Sequence, residues 1–338
     1  MVWRREIGSL VRAFRTGEPA RTAMLPPDKR RVRGRGGLGL IPVVAIVWIA
    51  FATLADGFLT PFNLFALGRN FAILAVVGFS MMVVLAVGHM NIAVGSMAAC
   101  LAVFAGWTLV ELHWPVLLTL GLVVLLGMLM GGLNGWLTVR TGINSFIVTL
   151  ALSYVYMGLL LILTRGHGFS GLPVLPQIGS RMVYQIFSPM LIVPLVLGLG
   201  LFLLYRHSVL GQQMLATGAN LQAARMSGLP VDRVLLLSHV ISGALTALAA
   251  IMETARLAAA LPIVGEDWLL PAFLLPVLGG TLLNGGHVSV GGTLLGALLV
   301  ATLQNGLQLF QVGTYWVRFF LGLMLLIVVT LDWIRARY

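Results

Sequence analysis

Between Leu38 and Trp333 the chain carries charge only at isolated residues and short pairs, separated by long apolar runs. Several runs approach the roughly 20 residues that an α-helix needs to cross a hydrocarbon core. Composition points the same way: 59% hydrophobic and 9% charged residues, with 40 glycines, exclude an ordinary soluble domain. The expected class is an all-α integral membrane protein. Glycine at this density suits close helix–helix approach in lipid. Cys100 is the sole cysteine, so no disulfide can form within one chain.

The apolar pattern predicts about ten transmembrane helices, near 38–59, 70–87, 92–110, 116–139, 145–163, 189–205, 234–254, 269–283, 288–310 and 316–333. The eighth is short and holds Pro271 and Pro276, so a kinked or re-entrant segment is expected there. Residues 1–37 read as a basic tail and 38–334 as one transmembrane domain. A net charge of +11 comes largely from that tail, which includes Lys29 to Arg35. Such a tail suits nucleic acid or anionic lipid; directly before a hydrophobic span, it reads as a cytoplasmic anchor, with no nucleic-acid partner. It lacks the features of a cleaved signal peptide. An even number of spans puts both termini on one side, and the positive-inside rule makes that side the cytoplasm, together with Arg140, Arg206, Arg225 and Arg233.

One stretch does not belong in lipid. From Arg206 to Arg233 the chain is polar, and inside it lies a short helix signal. Asn220 suits an N-cap, Leu221 to Ser227 are mostly helix formers, Gly228 suits a left-handed C′ position, and Pro230 blocks resumption. About two turns, roughly 10 Å, would be marginal alone in water. The stretch is either a docking element for another protein or a plain connector. Ala223 and Ala224 are small enough to let a partner surface approach.

Catalysis finds no support. No nucleophile–base pair, metal-ligand cluster or phosphate loop stands out, and no cofactor is implied. The phosphate loop requires a lysine, and Lys29 in the tail is the only one. Within the apolar region three groups of polar residues remain. Gly88 to Ser96 breaks the chain between spans two and three; with Asn91, Gly95 and Ser96 it is either part of a translocation path or a tight turn capped by Asn91. Glu253 and Arg256, three apart, can pair on one helix face, as a structural ion pair or as substrate contacts. His239 and Asn134 are expected to hydrogen-bond neighbouring helices. A short echo links Ile92–Ser96 with Val288–Gly292, from an internal repeat or from chance in a Gly/Val-rich chain.

Gly218, Asn220, Ala223, Ala224, Arg225, Ser227 and Gly228 resemble the G-x-N-x-x-A-A-R-x-S-G coupling loop of ATP-binding-cassette importer permeases, in the ribose-type monosaccharide group. Gly88–Ser96 is similar to the group's G-x-x-D-L-S-V-G-S, with Asn91 and Ala93 replacing the acidic residue and the serine. Asn144–Ala151, Glu253–Leu257, Val277–Thr281 and Gly292–Leu298 extend the likeness. Leu269–Ala272 departs from the group's E-L-D-A. The resemblance implies cytoplasmic ATP-binding subunits gripping the loop, a soluble solute-binding protein, a second permease subunit, and residence in a bacterial inner membrane. It also implies a small polar solute, most simply a monosaccharide; an autoinducer-type sugar derivative, a nucleoside or a branched-chain amino acid are alternatives. The rival classes are an ion-coupled secondary transporter, which would need charges inside its spans, and a channel.

Overall fold

The computed structural model describes residues 39–173, 175–182 and 186–337; the basic tail lies outside them. The chain is almost wholly helical. In order come α1 (Leu40–Leu54), α2 (Pro61–Ala86), α3 (Val94–Val110), α4 (Val116–Thr141), α5 (Ser145–Thr164), a strand β1 (Phe169–Ser170) and the short α6 (Leu175–Ser180). A 3-10 turn (Pro189–Leu191) leads into α7 (Ile192–His207), followed by α8 (Val209–Ala219), α9 (Leu221–Met226), α10 (Val231–Leu257), β2 (Ala259–Ala260), α11 (Leu269–Leu278), α12 (Val290–Leu309) and α13 (Thr314–Arg337). Among the described residues, six helical segments are long and apolar enough to cross a membrane: α2, α4, α5, α10, α12 and Pro189–His207. Shorter apolar helices occur at Leu40–Leu54, Val94–Val110, Leu269–Leu278 and Tyr315–Leu326.

At the centre is α2. Its residues from Ala72 onward are buried on every face, which explains why the sequence is apolar all round rather than along one stripe. It packs against α10, α11 and α12. The tightest pairing is α4 with α10. Gly127 and Gly131 of α4 lie against the backbone of Gly243 and His239 on α10, and a Cβ at either glycine would overlap a carbonyl oxygen. Removing side chains from one stripe lets the helices meet backbone to backbone, which in lipid replaces the missing hydrophobic drive.

The expected eighth helix is shorter than the sequence suggests, running for 10 residues. After α10 the chain turns through Ala258, at φ +54°, and β2 pairs antiparallel with β1, Phe169 opposite Ala260. It then passes through successive turns beside α3, with Gly265 at φ +84° against Gly95, before α11 starts at Leu269 and passes Gly78 of α2 with Leu275. The helix stops at Leu278, not Leu283, because Gly279 and Gly280 turn the chain and Thr281 N–H bonds back to Pro276 O at 2.9 Å. The region 258–278 thus pairs an irregular, turn-rich half with a helical half.

The two segments of the sequence echo each open a helix after a turn. Asn91 Oδ1 accepts from Ala93 N at 3.2 Å before α3, and Ser289 Oγ accepts from Gly292 N at 3.1 Å in the first turn of α12. The turns preceding them meet: Gly88 lies against the backbone of Asn284 and Gly285.

Candidate functional site

The polar loop holds more structure than its composition suggests. Most of its first half is α8, capped by Ser208 Oγ, which accepts from Gly211 N at 3.0 Å. The sequence alone predicts no helix here. The second half follows expectation closely. Asn220 Oδ1 accepts from Ala223 N at 3.0 Å and caps α9. At the other end Leu229 N–H donates to Ala224 O at 3.1 Å and Gly228 N–H to Arg225 O at 3.0 Å, with Gly228 at φ +77°. This is the Schellman pair of bonds, and it needs the left-handed conformation that glycine tolerates.

The motif residues on this helix divide by direction. Ala224 is buried and packs inward, whereas Ala223, Arg225, Ser227 and Gly228 are exposed. Arg225 pairs with Asp232 at 3.1 Å on the surface. Met226 is 89% exposed and Leu221 40%, so apolar side chains project from a helix that is otherwise anchored to the body. Gly218 is not on the outer face. It lies against Ala86 O and Gly286 N, where a Cβ would collide with both.

Asn91 is fully buried at the break before α3. Its Oδ1 also accepts from Asn134 Nδ2 at 3.2 Å, its Nδ2 donates to Ser242 Oγ at 3.3 Å, and Asn134 Oδ1 accepts from Tyr156 Oη at 2.8 Å. These bonds tie the break to α4, α5 and α10. Ser96 Oγ donates to Ala93 O, and Gly95 packs on Gly265. The neighbouring Ile92 lines the cavity described next. Asn134 thus bonds neighbouring helices as expected. His239 does not: neither ring nitrogen meets a hydrogen-bond partner among the described residues. Gly131 and Gly135 of α4 lie against it, and its ring lies 5.8 Å from that of His89.

A cavity of about 940 Å³ opens beside the half-helix α11. Its walls come from α2, α10, the turn-rich segment before α11, α12 and α13. Three basic side chains (Arg69, Arg256, Arg318) and three acidic ones (Glu253, Glu266, Asp267) line it, so its formal charge is balanced. The expected Glu253–Arg256 pair forms, with Arg256 Nε to Glu253 Oε2 at 3.0 Å and Nη2 to Oε1 at 2.5 Å. Arg318 pairs with Asp267 at 2.6 Å. Arg69 donates to Gly179 O at 3.1 Å and lies over the Phe65 ring. Asn70, Gln304, Asn305 and Gln308 add amides. The sequence reading passed over these four, because a single amide in an apolar helix looks like packing.

Residues 63–329 match the family described as branched-chain amino acid transport system / permease component. The chain belongs to this family. It is a permease component, with the multi-pass helical build its spans display. Among curated relatives, the permease is 33% identical to the ribose import permease protein of Bacillus subtilis, over 92% of this chain and 98% of the relative. It is 29% identical to the Haemophilus influenzae ribose import permease protein, over 89% and 93%. It is also 29% identical to the Escherichia coli xylose transport system permease protein, over 87% and 90%. No solved structure matches the permease.

Proposed function

We propose that this chain is the membrane subunit of an ATP-driven, binding-protein-dependent importer, and that it passes a neutral monosaccharide. The observation that carries the substrate is the cavity at the broken span. Its charges cancel and are largely paired with each other, and amides supply its remaining polarity. A zwitterionic amino acid would gain from unpaired charges held for its two ends; a polyhydroxylated ring needs donors and acceptors without net charge. The ribose and xylose named for the similar permeases fit this reading, and the family's amino-acid description is the alternative.

In this reading the six long helices and four shorter ones make ten crossings, with both termini in the cytoplasm of a bacterial inner membrane. The region 258–278 forms one interrupted crossing beside the path, an arrangement found at midplane substrate sites of other transporters. A second permease subunit, identical or related, closes the open side of the cavity. The stretch from Asn91 to Ser96 backs the path wall, with Ile92 facing it. Glu253 and Arg256 act as a structural ion pair at its edge. The loop 206–233 faces the cytoplasm, and its helix α9 docks into the ATP-binding subunits, with Gly218, Asn220, Ala223, Ala224, Arg225, Ser227 and Gly228 shaping it. A solute-binding protein delivers the sugar from the other side. ATP is hydrolysed by the partners, not by this chain.

Affinity purification of the tagged permease from its native membrane tests the proposal. An ATPase subunit co-purifies with it, and hydrolysis rises when sugar-loaded binding protein is added. Uptake by the permease alone, driven by an ion gradient, would instead identify a secondary transporter.

A further inference from the structure

Two amide pairs bridge α2 and α12, and they differ in one respect. Asn63 and Asn305 exchange hydrogen bonds in both directions, at 2.9 and 2.8 Å, and Asn63 Nδ2 also donates to Phe58 O at 2.8 Å. Both residues are buried. That pair is closed. Asn70 and Gln304 share a single bond, Asn70 Nδ2 to Gln304 Oε1 at 2.9 Å. Both are half-buried and both line the cavity. The Oδ1 and second N–H of Asn70, and both N–H groups of Gln304, make no other hydrogen bond among the described residues. Gln308 lies four residues beyond Gln304, hence on the same helix face, and is exposed to the same space.

Asn63 and Asn305 must close on each other because an unbonded buried amide is costly, whereas Asn70 and Gln304 face the cavity and can leave groups free for a solute or water. The open pair instead presents donors and an acceptor side by side. A hydroxyl group is both donor and acceptor, so it can satisfy such a surface, whereas a carboxylate only accepts and an ammonium only donates. We propose that Asn70, Gln304 and Gln308 form a hydroxyl-reading face that contacts a polyhydroxylated neutral solute as it passes through the cavity. This rests on the importer reading given above, and it adds the residues that select the solute within the membrane.

Site-directed labelling tests the face in the intact transporter. Cys100→Ser removes the native thiol, and Gln304→Cys or Gln308→Cys then places one in the cavity; Glu111→Cys, exposed in the loop after α3, is the control. The permease is assembled with its ATPase subunits, reconstituted, and reacted with a small methanethiosulfonate in the presence of D-ribose, D-xylose or L-leucine. A pentose at about four times its half-protecting concentration is expected to slow labelling at 304 and 308 by about fivefold, because it occupies the cavity, and to leave position 111 unchanged. Adding Asn70→Ala to Gln308→Cys is expected to lower that protection, with about fivefold more pentose needed to restore it, the factor that one net neutral hydrogen bond supplies, while labelling without sugar stays the same.

The inference is overturned by equal labelling with and without pentose, by full protection in the Asn70→Ala background, or by failure of either cavity cysteine to react, which would mean that the face is sealed. Uptake by the unmutated transporter is measured alongside. Pentose uptake without protection removes the amide face and leaves the importer reading standing. Uptake of leucine with protection by leucine alone removes both the hydroxyl-reading face and the monosaccharide substrate.

Discussion

Gly286 N–H donates to the carbonyl of Ala86 at 3.0 Å, joining the end of the central helix α2 to the turn that precedes α12. Gly218, at the end of α8, sits against both atoms. The step from α8 into the capped helix α9 is therefore welded to the two chain breaks. A glycine that looked in the sequence like part of a docking motif has a complete packing explanation of its own.

Gly218→Ala should consequently destabilise the permease whether or not a partner is present. The Cβ meets backbone atoms that cannot rotate away, and overpacking of this kind costs about 1–3 kcal/mol. Thermal unfolding of the detergent-purified permease alone should shift downward. An unchanged melting temperature would show that the backbone yields there.

Met226→Asp should separate docking from folding. Met226 projects into solvent, so the charge has no intramolecular contact to break. Recovery of the ATPase subunit should fall about tenfold or more, as expected for loss of one apolar anchor, with the melting temperature of the permease unchanged. Gly228→Val acts through the fold of α9 instead. A β-branched residue at φ +77° costs about 1–2 kcal/mol and loosens the Schellman turn, so sugar-stimulated hydrolysis should drop with it. Wild-type coupling in both variants would make the loop a connector.

The closed amide pair gives a quantitative check on packing between α2 and α12. Asn305→Leu strands Asn63 in a buried position and should cost about 1–3 kcal/mol. The double variant with Asn63→Leu should recover part of that loss, and a double-mutant cycle reads the coupling. Additive losses would mean that the two amides act independently.

Much of the helical layout is legible because lipid demands it. Apolar runs, prolines and glycines mark most helix ends, and the caps of α9 follow from Asn220, Gly228 and Pro230. Two things are not legible. The first is α8, whose polar, glycine-containing residues carry no membrane signal and which is recognisable only through the Ser208 cap and its packing. The second is the cavity. Asn70 and Gln304 are 234 positions apart and meet only because α2 and α12 pack together. Nothing in the spacing of either helix announces the pair. The region before and through α11 lies between these cases: Pro271 and Pro276 flag a short helix, but the turns before it read as a plain loop until Gly265 is seen against Gly95.

Orientation follows from charge outside the spans. Reporter fusions at residues 1 and 338 should both read as cytoplasmic, because the tail and the loop arginines bias the same face. An external signal from either end would contradict ten crossings.

The most direct test of the central claim is solute accumulation in proteoliposomes holding this permease, its ATPase subunits and the cognate binding protein. The account predicts that D-ribose or D-xylose accumulates against its gradient only when the ATPase subunits are present and supplied with ATP, while L-leucine does not accumulate. ATP-dependent accumulation of leucine without either pentose, or pentose uptake that persists without the ATPase subunits, would contradict it.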